Sequence, residues 1–134
     1  LPEISDRLKK VQIENTDALS VIKRYTTDTS FCYCDPPYVQ STRESKNVYS
    51  IEMSDEDHKS LVDMLLNTKG YVILSGYNSE IYKTLEYNGW DKIDNVSVIW
   101  SQRRKNIKEE KTVANRKIDS LWLNPKMKTF AESI

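Results

Sequence analysis

The sequence is short of the residue types on which several common kinds of protein depend. Its 134 residues include only 3 glycines, 4 prolines and 2 cysteines, which excludes collagen, low-complexity disorder and a disulfide scaffold. No apolar run approaches the roughly 20 residues that span a bilayer, and we expect no signal peptide. The 38% apolar and 30% charged residues instead predict one domain with a core of its own.

The two cysteines, Cys32 and Cys34, lie two residues apart in an apolar run. In a strand both side chains point to the same face, and a disulfide between such close neighbours would strain the backbone. We therefore expect buried free thiols in a reducing compartment. The alternative is a metal site in which these sulfurs join His58, but it lacks the spacing of zinc modules.

The net charge of zero hides an asymmetry along the chain. Residues 1–100 carry 11 Lys/Arg and 16 Asp/Glu, a net charge of −5, whereas residues 101–134 carry 9 and 4, a net charge of +5. Much of the excess lies between Arg103 and Lys117. Such a segment suits backbone contacts to a nucleic acid, because each neutralised phosphate releases counterions. A solvated loop that keeps the protein soluble is the alternative.

Short apolar runs alternate with stretches of helical periodicity, which predicts an α/β layer fold. The strand-like runs are Val11–Asn15, Phe31–Cys34, Tyr71–Ser75, Val96–Trp100 and Ile118–Leu123. We expect the first three in one mostly parallel sheet and the last two as an antiparallel pair. Phe31–Cys34 is apolar throughout, as is typical of a central strand covered on both faces.

Three helices are predicted by their spacing and by the residues that begin and end them. Thr16 or Asp17 begins the first helix, and Ser54 with Asp57 forms a capping box that opens the second, which ends near Gly70. A third runs from Ser79 to Gly89. The pattern alone predicts the positions of four more side chains: His58 at the surface, and Trp90, Trp100 and Trp122 in the core.

Asp35-Pro36-Pro37-Tyr38 follows a strand directly, at the end of a parallel sheet where ligands bind. A rigid turn with a core tyrosine would account for these residues. Chemically, however, the Asp35 carboxylate and the Pro36 carbonyl are two acceptors that suit an exocyclic amine, which has two hydrogens to donate. Tyr38 supplies a flat face for a ring. The tetrapeptide therefore predicts a site for a planar aminated base.

These residues resemble the DPPY motif of the amino-group DNA methyltransferases, and the longer pattern resembles their Dam-like adenine-specific branch. The matching segments are Arg7-Leu8, Val11–Asn15 with Asp17, Phe31–Tyr38, His58 with Leu61, Ile73–Tyr77, Tyr82 to Trp90, and Leu121–Pro125. The resemblance implies a Rossmann-like class I methyltransferase sheet and a cytoplasmic, bacterial or phage-encoded enzyme of the kind found in restriction–modification.

The resemblance implies the reaction and its participants. The methyl donor would be S-adenosylmethionine, with no metal, and the acceptor would be the N6 amine of an adenine flipped out of double-stranded DNA. Asp35 and the Pro36 carbonyl would hold the amine, Pro37 would complete the rigid turn, and Tyr38 would stack on the ring. Asp17 resembles the acidic position that contacts the adenine ring of the donor. The DNA-binding candidates are Arg103, Arg104, Lys105, Lys108 and Lys111.

The chain also departs from the family pattern. Its glycines are isolated, so the glycine-rich donor-binding loop is absent, as is the target-recognition region; the chain, which begins with Leu1, matches only the C-terminal part of a catalytic domain. The implied order leaves Phe31–Cys34 with an open edge. We expect Val11–Asn15, a second copy or an N-terminal fragment to cover it.

Three functions stay open at this point. The first is an adenine-specific DNA methyltransferase that works as part of a longer or two-piece enzyme, with the isolated chain inactive. The second is an inactive half-domain that retains only DNA binding. The third is an amino methyltransferase that acts on another substrate.

Overall fold

The computed structural model describes residues 2–39, 53–98 and 116–134, with backbone only for 96–98 and 116–117. Within these residues it confirms the predicted α/β class. The elements, in chain order, are α1 (Pro2–Leu8), α2 (Ala18–Tyr25), β1 (Phe31–Cys34), α3 (Asp55–Leu66), β2 (Tyr71–Tyr77), α4 (Glu80–Tyr87), β3 (Asp91–Val98), β4 (Arg116–Leu123) and α5 (Pro125–Glu132).

The four described strands form one sheet in the order β1-β2-β4-β3. β1 and β2 are parallel, with Cys34 paired to Leu74, whereas β4 is antiparallel to both β2 and β3. The predicted antiparallel pair at the end of the chain is confirmed. The expectation of a mostly parallel sheet is wrong for the described strands, because only one of the three pairings is parallel.

The predicted strand Val11–Asn15 is not a strand in the structure. It lies outside the sheet, with Ile13 88% exposed. Side chains hold it instead: the Gln12 amide donates to the Tyr25 hydroxyl at 2.8 Å, and that hydroxyl donates to Glu14. Alternating apolar residues suit a strand only where a neighbouring strand pairs with the backbone, and no described strand does so here.

β1 is consequently an edge strand rather than the central strand that its composition predicts. Within the described residues it pairs only with β2. Phe31 and Tyr33 point away from the core and are 59% and 54% exposed. Val11–Asn15 therefore does not cover the open edge of β1, and a second copy or an N-terminal fragment remains as the expected cover.

The core lies between one face of the sheet and helices α2, α3 and α4. Its buried residues are Ile22, Val39, Leu61, Val62, Leu65, Val72, Leu74, Tyr82, Leu85, Trp90 and Trp122. The core positions predicted for Trp90 and Trp122 are confirmed, whereas Trp100 lies outside the described residues. Trp122 packs edge-on against Tyr82 and donates its indole hydrogen to Glu86 at 3.1 Å.

The prediction that His58 lies at the surface is wrong. His58 is fully buried, with its Nδ1 atom 2.9 Å from the Tyr82 hydroxyl. On α3 it shares one face with Leu61, Val62 and Leu65, which are buried as well, because residues spaced by three, four and seven lie on one side of a helix. The Tyr82 hydroxyl on α4 pairs with one ring nitrogen, which helps a histidine to fit this apolar stripe.

The predicted helix starts are confirmed. Ser54 and Asp57 form the reciprocal capping box of α3, Asp17 begins α2, and Ser79 begins α4. α4 is followed by Gly89, whose φ of 84° is the left-handed conformation that favours glycine. None of the described helices has the length and hydrophobicity required to cross a membrane.

A buried asparagine joins the end of β4, the start of α5 and the first residues of β2. The Asn124 side-chain oxygen accepts from the amides of Val72 at 3.2 Å and Met127 at 2.9 Å. Its side-chain nitrogen donates to the carbonyl of Gly70 at 2.8 Å. A single side chain thus caps one helix and fixes the neighbouring strand.

Candidate active site

A polar residue that follows β1 meets a polar residue of β2 where β1 ends. Asp35 follows Cys34 directly, and Ser75 follows Leu74, the residue paired with Cys34. The Ser75 hydroxyl lies 2.7 Å from Asp35 Oδ1 and 3.2 Å from the Cys34 carbonyl oxygen. Asp35 itself is exposed. The parallel register therefore orients an accessible carboxylate at the end of the sheet.

Tyr38 is held against the same edge by two neighbours. Its ring stacks on Tyr77 with centroids 3.8 Å apart and planes 10° from parallel. Its hydroxyl donates to Asp119 Oδ1 at 3.3 Å. Partial burial, then the Asp119 carboxylate and Tyr77, raise the pKa of Tyr38 well above its ordinary value. The phenol is thus neutral and oriented, with Tyr77 covering one of its faces.

A small pocket lies at this edge. It has a volume of about 230 Å³ and is lined by Asp35, Pro36, Pro37 and Tyr38. The prolines fix the backbone and have no amide hydrogen, and the lining side chains include the Asp35 carboxylate and the half-exposed Tyr38 ring. All four residues that sequence reasoning selected are therefore brought together around one opening, which suits a flat ring that carries hydrogen-bond donors.

Comparison with known proteins identifies the family of the chain. The family model of the D12 class N6 adenine-specific DNA methyltransferases matches residues 1–116. The chain belongs to this family. No curated protein and no solved structure matches it significantly. The Dam-like resemblance is thereby confirmed, and the family's activity is methylation of adenine in DNA.

In this D12 family chain, a larger cleft of about 920 Å³ adjoins the pocket and shares Asp35, Pro36 and Pro37 with it. The cleft lies between β1 and the residues that precede and form α2. Its described lining includes four carboxylates and no lysine or arginine; the carboxylates belong to Glu14, Asp17, Asp35 and Asp57. The remaining lining is largely apolar, including Leu19, Ile22 and Leu61.

Asp17, the predicted donor-binding residue, lines this cleft and also caps α2. Its Oδ2 atom accepts the Ser20 amide hydrogen at 2.8 Å. The Ser20 amide, together with the Ser20 hydroxyl, lowers the pKa of Asp17 below its ordinary value. The side chain is therefore a carboxylate at the cleft wall, and its role toward a donor stays a prediction.

The two cysteines are free, as predicted, but they are half-buried rather than buried. Both line the cleft, which leaves their side chains partly accessible. Their sulfur atoms are 3.5 Å apart. Within residues 2–39, 53–98 and 116–134 no three His, Cys, Asp or Glu side chains are grouped so as to hold a metal ion.

The remaining site predictions fall outside the described residues. They concern Arg103, Arg104, Lys105, Lys108 and Lys111. Conversely, sequence reasoning missed Asp119, the partner of the Tyr38 hydroxyl. The signal lies only in the strand register, which pairs Asp119 with Tyr77 across β2 and β4. A register cannot be read from the sequence before the strand order is known.

Proposed function

We propose that this chain provides the adenine-binding site of an N6 adenine DNA methyltransferase that uses S-adenosylmethionine as methyl donor, within a longer or two-piece enzyme. The observation that carries the proposal is the pocket at the end of β1, where an oriented carboxylate, two prolines and a stacked tyrosine line one opening. Membership of the D12 family supports the choice of adenine as the base.

The pocket explains how the amine would be held. The Asp35 carboxylate and the Pro36 carbonyl can accept one hydrogen each from an exocyclic NH₂ group. Ser75 keeps Asp35 in place, and the face of Tyr38 opposite Tyr77 is the one available for stacking. Such an arrangement draws the nitrogen lone pair out of conjugation with the ring. The Asp35 carboxylate also stabilises the positive charge that develops on nitrogen during transfer.

Part of the chain suits the methyl donor. The cleft shares Asp35, Pro36 and Pro37 with the base pocket, so a molecule in the cleft would meet the amine at these residues. Glu14 suits hydroxyl and ammonium groups of the donor, Asp17 suits the amine of its adenine ring, and Leu19 and Ile22 suit the ring itself. S-adenosylmethionine supplies a methyl group on a positively charged sulfur when bound. Alignment of amine and methyl is then the main catalytic contribution.

The described cleft offers no glycine-rich turn for the rest of the donor: Gly70, Gly76 and Gly89 are not among its lining residues. We therefore include in the proposal a donor-binding half that adds to the open edge of β1 and completes a Rossmann-like sheet. Direct transfer needs no covalent intermediate with the protein, so Cys32 and Cys34 have no catalytic part.

The DNA would present its adenine by base flipping, which costs a few kcal/mol. The basic residues Arg103, Arg104, Lys105, Lys108 and Lys111 are proposed to contact backbone phosphates. Since each phosphate contact releases counterions, DNA affinity should fall steeply with salt.

The test measures methyl transfer from radiolabelled S-adenosylmethionine to a duplex that contains adenine. The chain is assayed alone and together with the donor-binding half of a D12 family enzyme. We expect transfer only in the mixture, and a loss of at least about 100-fold for Asp35→Asn. Asp63→Asn is the matched control, because Asp63 is an exposed α3 residue outside both cavities.

Each outcome separates the candidate functions. DNA binding without transfer in the mixture would identify an inactive half-domain, and methylation of an adenine-free duplex would identify another amino methyltransferase. Unchanged transfer to adenine by the Asp35→Asn chain would overturn the assignment of the pocket.

A further inference from the structure

The two thiols of β1 form a feature that the proposed function does not use. Cys32 and Cys34 lie on one face of the strand, with their Sγ atoms 3.5 Å apart. Both are half-buried, both are free, and both line the 920 Å³ cleft. They are the 2 cysteines of the whole sequence, so any reaction that requires a pair of thiols has one possible location in the chain.

The extended strand brings the two sulfurs close together but keeps the two Cα atoms too far apart for an easy disulfide. Cys32 pairs with Val72 and Cys34 with Leu74, which holds the backbone extended. Cα atoms two residues apart in a strand are separated by about 6.6 Å, at the far end of the range that a disulfide spans. Paired sulfurs that do not readily bridge each other remain available to a third atom.

The distance between the two sulfurs determines which coordination geometry an atom bound to both of them can have. With the roughly 2.3 Å of a zinc–thiolate bond as the scale, sulfurs 3.5 Å apart subtend about 100° at a shared central atom. A linear, two-coordinate ion would need sulfurs about 4.6 Å apart on the same scale. The geometry therefore suits a pyramidal or tetrahedral centre.

The surroundings distinguish between those two geometries. A tetrahedral zinc ion needs four ligands, and the described part of the chain offers no third His, Cys, Asp or Glu in position. A trivalent metalloid that already carries one organic group needs only the two sulfurs. The carboxylates in the cleft lining, Glu14, Asp17, Asp35 and Asp57, also disfavour anionic thiol reagents relative to neutral ones.

We propose that Cys32 and Cys34 together form a dithiol site that captures neutral trivalent organic arsenicals. In the reaction with an organoarsine oxide, two arsenic–sulfur bonds form and the bonds between arsenic and oxygen break. The oxygen leaves as one water molecule with the two thiol protons, and arsenic stays trivalent. The reaction needs no oxidant or reductant.

The protonation of the pair agrees with this chemistry. The contact between the two sulfurs lowers the pKa of Cys32 below its ordinary value. The same contact, with burial, raises the pKa of Cys34. Cys32 is thus the more acidic of the two thiols and the one that attacks arsenic first, and the protons of both thiols leave with the oxygen as water.

The test incubates the chain with phenylarsine oxide and measures the intact mass. We expect one adduct per chain, formed with loss of one water, that a dithiol such as dimercaptopropanol removes and a monothiol does not. Cys32→Ser and Cys34→Ser should each weaken binding at least about 100-fold, because the second bond is no longer intramolecular. Cys32→Ala and Cys34→Ala repeat the measurement with different side chains, and circular dichroism confirms the fold of each variant.

Several results would overturn the proposal. They are the absence of an adduct on the folded parent chain, removal of the adduct by a monothiol, and equal binding by any folded single-cysteine variant. Stoichiometric binding of Zn²⁺ alone to the parent chain would contradict the two-ligand geometry. None of these outcomes depends on methyl transfer, so the proposed function stands or falls separately.

Discussion

β1 and β2 are built from similar sequences but have different surroundings. Phe31–Cys34 and Tyr71–Leu74 are both apolar throughout. β2 lies between two strands, and its Val72 and Leu74 are completely buried. β1 has one described neighbour and more than half of Phe31 and Tyr33 exposed. An apolar strand composition therefore indicates that the strand is stable when buried. It does not show that this chain supplies the neighbouring strand that would bury it.

Hydrogen exchange tests this comparison most directly, and the expected difference is the largest. Amides of β2 should exchange only on global unfolding, with a free energy of about 5 kcal/mol or more. The outward-facing amides of β1 should exchange with almost no protection, because they have no described partner. Addition of a donor-binding half should then slow them. Uniform protection of β1 in a stable monomer would contradict the open edge.

The next largest expected difference is in the free energy of unfolding lost when a buried or an exposed leucine is replaced. Leu74 on β2 is 0% exposed and Leu8 on α1 is 59% exposed. Leu74→Ala should lower the free energy of unfolding by about 3 kcal/mol, because it leaves a cavity in the core. Leu8→Ala should change it by less than about 0.5 kcal/mol. Urea unfolding measures both, and equal losses would show that the N-terminal residues are as tightly packed as the sheet.

Several parts of the fold could be predicted from the sequence because their causes are local. The capping box of α3 depends on Ser54 and Asp57, three residues apart, and the site depends on four consecutive residues after β1. α5 was missed although Asn124-Pro125 is a typical helix start, with asparagine at the cap and proline in the first turn.

What could not be predicted depends on distant neighbours. Val11–Asn15 alternates like a strand but has no described partner strand. His58 is buried on α3, where the Tyr82 hydroxyl of α4 forms a hydrogen bond with its ring. Asp119 reaches Tyr38 only through the order of β2 and β4. In each case, the outcome depends on whether residues far apart in the chain meet.

Tyr38, in the segment after β1, contacts Tyr77 of β2 and Asp119 of β4. Tyr38 has a raised pKa, so its contribution to stability is complete below the ordinary tyrosine pKa of about 10 and is lost as pH rises above it. Asp119→Asn removes one cause, so Tyr38 should ionise at lower pH, though burial keeps its pKa above the ordinary value. Tyrosinate absorbance measures this shift.

The chain has 8 tyrosines, so the control subtracts the titration of Tyr38→Phe, with and without Asp119→Asn. If the difference titration does not move, the Asp119 contact does not influence Tyr38.

The smallest expected effect concerns Ser54, the residue that caps the start of α3. Ser54→Ala should lower the free energy of unfolding by about 1 kcal/mol near neutral pH. Ser54 lowers the pKa of Asp57, so this stabilisation is present above the ordinary aspartate pKa and is lost as pH falls through the lowered one. The penalty should therefore shrink in acid, as thermal unfolding at several pH values would show.

Ser60→Ala is the matched control for this prediction. Ser60 lies on the same helix with its hydroxyl bonded to the Glu56 carbonyl, and alanine has the higher helix propensity. The control should be neutral or slightly stabilising at every pH. A comparable loss in both variants would show that the effect is not due to the cap.

The Asn124 side chain that ties α5 to β2 also has a chemical consequence. Asparagine ages in storage when the backbone nitrogen of the next residue attacks the side-chain carbonyl and ammonia is lost. The next residue here is Pro125, whose nitrogen carries no hydrogen and cannot close that ring. The residue on which three hydrogen bonds of the fold depend is therefore protected from deamidation by its neighbour in the sequence.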